Sequence, residues 1–228
     1  LAHDGFDVAV SSTHPENLRP VLSSVEHAGA RALGVALDVR SNDEIERAVD
    51  EVVSRLGRID VLVNNAGVPL RRFALEVTPG DWDSVIGANL TGAFFVTQRV
   101  ARHLVELGRA GCVINIGSTH GMVGRAERST YGIAKAGLMH MTRMLAVEWA
   151  QYGIRVNAVA PGRVESGSPA RAASASDPEY LKSMLDRVPL RRFCSVEEVA
   201  AAVCYLVAPS AEYVTGQTLV LDGGLTAA

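Results

Sequence analysis

Six short apolar runs, separated by longer segments of helical periodicity, constrain this chain more than any other feature. They are FDVAVSS, RALGVALDV, IDVLVNNAG, CVINIGS, IRVNAVAPG and TLVLDGG. Most are apolar at successive positions, so both faces of each strand must be covered. Strands of that kind form a parallel sheet with helices on either side. The expected fold is α/β, a doubly wound parallel sheet in a three-layer α/β/α arrangement.

Helix entrances are legible between the runs. Ser41 with Glu44, and Ser195 with Glu198, have the spacing of a capping box, and both precede segments of apolar periodicity. The pattern predicts one long helix over about 81–107 and another over about 130–151. The opening LAHDG reads as the last turn of a helix ending at Gly5, with a strand following at once. A doubly wound sheet usually begins with a strand and a glycine-rich turn before such a helix, so the expectation is that a central first strand and its loop lie upstream of Leu1. The 228 residues suit one domain. The small-residue stretch Glu165–Pro178 and the short amphipathic segment after it predict a substrate lid over about 165–190.

Composition excludes several function classes. A net charge of −3 without a basic stripe argues against nucleic acid or an anionic membrane as the main partner. No apolar run approaches the ~20 residues needed to span a bilayer, and the amino terminus lacks a signal layout, so a cytoplasmic protein is expected. Cys112, Cys194 and Cys204 read as buried thiols, and neither they nor the six histidines have metal-ligand spacing, so no metal site is expected.

In an open parallel sheet, ligands gather at the carboxyl ends of the strands. Asn64-Asn65-Ala66-Gly67 follows the third run, where Gly67 lets a ligand approach the backbone. Asp38-Val39 follows the second, offering a carboxylate to an adenine amino group, and Gly117-Ser118 follows the fourth, bringing a hydroxyl to the rim. Pro161-Gly162 ends the fifth. Asn89 sits one turn from Val85 and Ala93 with Trp82 and Ile86 expected on the same inward side, and a buried amide there must bond backbone or hold a water chain leading to the site.

Tyr131 and Lys135 in YGIAK are four positions apart, about one helical turn, and therefore share a face. The phenol has an ordinary pKa near ~10, and each unit of lowering requires about 1.4 kcal/mol of preferential phenolate stabilisation. A nearby ammonium supplies it. With Ser118 thirteen positions earlier, three polar groups can surround one carbonyl oxygen, which suits hydride transfer to a ketone.

NNAG, Asn89, Ser118, YGIAK, PG at Pro161 and the ending TGQTLVLDGG, in this order, resemble the short-chain dehydrogenase/reductase family over essentially the whole chain. The resemblance implies a Rossmann-like nicotinamide enzyme. Tyr131 would be the general acid/base, and Lys135 would lower its pKa and bond the nicotinamide ribose. Ser118 would orient the substrate oxygen and Asn89 would hold a proton-relay water. Asp38, Val39, Asn65, Ala66 and Gly67 fall at adenosine-side positions, and Pro161, Gly162, Val164 and Ser166 beside the nicotinamide. His120 and Met122 would line the substrate pocket with Ser118 and Tyr131. The phosphate loop TGxxxGxG of the family is not in the sequence.

Cofactor choice turns on Ser11-Ser12-Thr13-His14 at the end of the first run. With no carboxylate there, nothing repels a 2′-phosphate that Ser12, Thr13 and His14 could receive, which favours NADP(H) and leaves NAD(H) open. The motifs are similar to those of 3-oxoacyl carrier-protein reductases and also of sugar and polyol dehydrogenases, and the family implies a homotetramer paired through the two long helices. A non-catalytic nucleotide-binding relative would be marked by loss of Tyr131 or Lys135, and both are present.

Overall fold

The structure, a computed structural model, describes residues 1–165 and 178–227. Its strands are β1 (Val8–Ser12), β2 (Ala32–Ala36), β3 (Val61–Asn64), β4 (Gly111–Ile116), β5 (Ile154–Pro161) and β6 (Thr218–Leu221). They coincide with the six apolar runs. The helices are α1 (Arg19–His27), α2 (Asn42–Leu56), α3 (Pro79–Ile86), α4 (Gly92–Glu106), α5 (Ser129–Trp149), α6 (Pro178–Leu185) and α7 (Val196–Val207).

All observed pairings are parallel, so within each sheet the strands end at the same edge. Alternation along β4 and β5 divides the core into two layers. Val113, Ile154 and Val156 pack with Val100, Leu104, Leu138 and Leu145 of α4 and α5. Ile114 and Val159 pack on the opposite face with Ala202, Val203 and Leu206 of α7. Burying each such side chain contributes about 1.5–3 kcal/mol, which explains why these strands tolerate so few polar residues.

The sheet is in two parts, β1–β2 and β3–β4–β5–β6. Between them runs a groove of about 1050 Å³, lined by Val8 and Val10 of β1, Val61 and Val63 of β3, and Val96 and Val100 of α4. Its walls are valine-rich, and the apolar side chains of β1 and β3 are only partly covered.

Four local expectations need correction. The segment over 81–107 is α3 and α4 joined by a π-helical turn, Gly87–Thr91. There Asn89 donates from Nδ2 both to Val85 O one turn back and to Val68 O outside the helix, at 2.9 Å each. Trp82 is exposed, so it does not share the inward face of Asn89. The Ser41–Glu44 box is half formed: Ser41 Oγ accepts the Glu44 N–H, but the Glu44 carboxylate accepts the Asp38 N–H at 2.7 Å. Ser195 with Glu198 forms the complete box, and so does Thr78 with Asp81, which sequence reading missed. Cys112 is buried as expected, whereas Cys194 and Cys204 are half-buried.

A chain of buried amides and hydroxyls fixes the strand ends that carry the rim. Asn64 Nδ2 donates to Thr97 Oγ1 (2.6 Å) and Asn115 Oδ1 (2.9 Å), and Asn115 Nδ2 donates to Thr142 Oγ1 (2.9 Å). Thr97 and Thr142 donate in turn to Ala93 O and Leu138 O. Each buried group in this chain has a partner, and leaving one without would cost about 1–3 kcal/mol. The ends of β3 and β4 are thereby tied to α4 and α5. Among the described residues, no helix is long and apolar enough to cross a membrane.

Candidate functional site

The carboxyl edge of the sheet gathers the loops that sequence reading singled out. Ser12 ends β1, with Thr13 next; Asp38 and Val39 follow β2; Asn65, Ala66 and Gly67 follow β3; Ser118, His120 and Met122 follow β4. Pro161 closes β5, followed by Gly162, which donates to Leu221 O, and Val164, which bridges to Cys194. Ser166, with the rest of the expected lid over 166–177, lies outside the described residues.

Ser118 is buried, and its Oγ accepts the His120 N–H at 3.2 Å, capping a short 3-10 turn over Thr119–Gly121. The His120 ring meets the Tyr131 ring edge to face, with centroids 6.1 Å apart. Burial, reinforced by Arg125, Arg128 and Arg187, pushes the His120 pKa down to about 4. Its imidazole is therefore neutral at physiological pH. His120 Nδ1 is buried with no hydrogen-bond partner among the described residues. Met122 is half exposed at the end of this loop.

One turn beyond Tyr131, Lys135 is buried, with Nζ 5.8 Å from the centre of the tyrosine ring. Nζ donates to Ile116 O at 2.7 Å. Burial lowers the lysine pKa to about 8, so the side chain is mostly charged at neutral pH. An ammonium in this setting acts on its neighbours with little screening. Ser118, His120, Tyr131 and Lys135 thus come together, the first two from the loop after β4 and the others from α5.

Asn89 joins them from the π-helical turn. Both donors of its amide are used on Val68 O and Val85 O, which leaves Oδ1 buried and unpartnered among the described residues. A π turn carries one extra residue and is frequent at functional sites. Gly67 lies directly against this amide: a Cβ there would collide with Asn89 Oδ1 and come within 3.7 Å of Lys135 Nζ. The missing side chain keeps the asparagine, the lysine and the rim backbone in one small volume.

The residue pattern over 1–226 matches the family described as enoyl-(acyl carrier protein) reductase. The 3-oxoacyl-[acyl-carrier-protein] reductase of Thermotoga maritima is 38% identical over 226 residues, covering 99% of this chain and 89% of that protein. This chain belongs to the short-chain dehydrogenase/reductase family. It is an oxidoreductase of the CH–OH/C=O couple that uses a nicotinamide cofactor. The 2-dehydro-3-deoxy-D-gluconate 5-dehydrogenase of Escherichia coli is 34% identical over 225 residues, covering 98% of this chain and 87% of that protein. A solved gluconate 5-dehydrogenase from Burkholderia cenocepacia, in complex with NADP and tartrate, superposes with a TM-score of 0.93 at 33% identity, covering 100% of this chain and 88% of that one. These relationships establish the three-layer Rossmann-like fold for the short-chain dehydrogenase.

The rim fits a nicotinamide cofactor in its middle, where Asn65, Ala66 and Gly67 are exposed and Lys135 Nζ has donors beyond the one given to Ile116 O. At the adenosine end the side chains are already engaged. Arg40 clasps the Asp38 carboxylate with Nε at 2.9 Å and Nη2 at 2.6 Å, and these bonds hold its pKa below the ordinary carboxylate range. At the end of β1, Ser12 Oγ accepts the His14 N–H, and His14 lies 3.3 Å from Glu16. A phosphate arriving there would also meet the Glu16 carboxylate beside His14. Glu127, Arg71 and Arg72 knit the loops flanking the site, and Glu127 is the residue that the sequence did not single out.

Proposed function

We propose that this short-chain dehydrogenase reduces a ketone, or oxidises the matching secondary alcohol, with Tyr131 as proton donor and acceptor and Lys135 as the cation that tunes it. The carrying observation is the buried Lys135 ammonium one turn from Tyr131 on the same helix face. Bound nicotinamide would supply or accept the hydride. Lys135, Asn65, Ala66, Gly67, Pro161, Gly162 and Val164 would hold it, and Ser166, outside the described residues, is assigned the same role. Ser12, Thr13, Asp38 and Val39 would serve the adenosine half.

In reduction, negative charge grows on the substrate oxygen, and hydrogen bonds aimed at that oxygen are worth most in the transition state. Ser118 Oγ donates one and the Tyr131 hydroxyl donates the other, then gives up its proton. The Lys135 charge stabilises the resulting phenolate. Asn89 Oδ1, an acceptor with no partner among the described residues, would take a water through which a proton returns from solvent to the lysine side of the site.

The substrate reading we favour is a 3-oxoacyl thioester, supported by 38% identity to the Thermotoga maritima reductase. One observation favours a hydroxylated or acidic sugar substrate instead: the neutral His120, beside Tyr131, has a ring nitrogen without a partner among the described residues. NADP(H) is the proposed cofactor, because β1 ends in hydroxyls with no carboxylate on Ser11, Ser12 or Thr13, with NAD(H) the alternative. The full-length protein, offered 3-oxoacyl thioesters, keto sugar acids and small ketones with each reduced nicotinamide, should consume NADPH faster. Ser12→Asp should reverse that preference by about tenfold or more in kcat/KM, since a carboxylate repels the 2′-phosphate. Absence of absorbance loss with every pair would defeat the reading.

We place the enzyme in the cytoplasm as one domain over 1–228, with a substrate lid over about 165–190. The outer face of α5 exposes Ile133, Met144 and Val147, the last at 83%, and α4 exposes Phe95 and Val105. Such faces suit pairing of the two long helices in a homotetramer. Light scattering should give a mass of four 24.2 kDa chains; a monomeric mass would refute the assembly.

A further inference from the structure

Two loops flank the reacting groups, and they are fastened to each other. One, over 68–73, leaves the cofactor rim after Gly67. The other, over 122–128, leads from the Ser118 turn into α5 and Tyr131. The Arg72 N–H donates to Glu127 O at 2.9 Å, Arg71 Nε donates to the Glu127 carboxylate at 2.9 Å, and Arg128 Nη1 donates to Leu70 O at 2.9 Å. Adjacent residues of one loop therefore grip adjacent residues of the other with both backbone and side chain.

The loop over 68–73 is tied equally to the asparagine side. Arg72 Nη1 donates to the Asp81 carboxylate, which completes the capping box with Thr78 at the start of α3. The thirteen-residue run from α3 through the π-helical turn carries Asn89, whose amide donates to Val68 O. Asn89 and Tyr131 come from separate elements, and this single loop touches both supports.

Glu127 adopts φ +64°, a left-handed conformation that is uncommon outside glycine. Such a residue persists when its surroundings hold it there. Here the holders are the two arginines of the opposite loop. The ion pair itself is partly exposed, Arg71 at 56%, so it adds little to folding. A strained residue held by a contact of small stability value is better explained by placement than by cohesion.

We propose that Glu127 and Arg71 form a clasp that positions the entrance of α5, and so the Tyr131 hydroxyl, against the cofactor rim and Asn89. Both are positioning residues; neither touches the reacting atoms. The proposal rests on the proton-donor role assigned to Tyr131. Displacement of a reacting group by a fraction of an ångström to an ångström lowers turnover by about ten- to a hundredfold.

Glu127→Gly suits the left-handed backbone while deleting the carboxylate. In the full-length enzyme with saturating cofactor, it should lower kcat roughly tenfold, leave the KM for nicotinamide within about twofold, and raise the deuterium isotope effect on kcat as hydride transfer becomes slower. Arg71→Gln should do the same. The double variant should be no worse than either single one, because both changes break one contact. Folded single variants with unchanged kcat, losses that multiply in the double variant, or a loss confined to KM would each overturn the clasp. If neither variant folds, the contact is a stability element and the proposal also fails. Turnover retained in Tyr131→Phe would instead defeat the role on which the clasp rests, and is read separately.

Discussion

Tyr131→Phe should abolish turnover while leaving the folded protein and its nicotinamide affinity almost intact. The exchange removes one oxygen from a side chain whose ring already packs edge to face against His120 and lies 5.8 Å from Lys135 Nζ. Those ring contacts survive, so the thermal midpoint should move little. Without the hydroxyl, the group proposed to hand a proton directly to the substrate oxygen is gone, and Lys135 Nζ is held on Ile116 O. General acid–base groups contribute about 10²–10⁴-fold, and this one also donates a hydrogen bond to developing charge, so a loss toward the upper end is expected. Steady-state rates, with cofactor affinity from nicotinamide fluorescence, check both halves. Turnover within tenfold of wild type would remove Tyr131 from the chemistry.

Lys135→Met should separate stability from function. Activity should fall by at least about 10²-fold, because the phenolate loses the adjacent cation. Stability should behave in the opposite sense. Burial brings the lysine pKa from 10.5 down to about 8, so the folded state holds fewer protons on this group than the unfolded chain does between those values. The cost of burying the charge is fully present below about pH 8 and is relieved as pH rises toward 10.5. Wild-type stability should therefore gain a rising contribution from this group across that window, and the methionine variant should lack it. The bond from Nζ to Ile116 O is lost in the exchange, which offsets about 1–3 kcal/mol of the relief. Denaturant midpoints at pH 7.5, 9 and 10 for both proteins measure the difference; identical slopes would show that the ammonium is not desolvated.

Much of this was legible in the residues because the controlling forces are local or periodic. The six strands were visible because central parallel strands must be apolar on both faces, and Val113 and Ile114 do face opposite layers. The Tyr131–Lys135 pair was visible because one helical turn guarantees a shared face. What stayed hidden depends on contacts distant in sequence. Glu44 has the spacing to cap its own helix, yet its carboxylate goes to the Asp38 N–H, a choice fixed by where β2 ends. The π-helical turn at Gly87–Thr91 has backbone angles at its ends that match an ordinary α-helix, so composition offers no sign of the extra residue. Thr78 with Asp81 escaped because aspartate replaces the longer glutamate or glutamine usual in such a cap. The Glu127 clasp joins residues more than fifty positions apart.

That extra residue in the π-helical turn has a consequence for what changes in length the gene could accept. Deleting one residue near Ala88 would remove the extra residue and return the run to plain α geometry, leaving Val96, Val100 and Leu104 on their inward face but taking the amide of Asn89 off its aim. The same deletion within α4 would instead swing everything after it by roughly 100° about the helix axis. A lost residue is therefore absorbed by the packing only at the bulge, and there it is lost to the site.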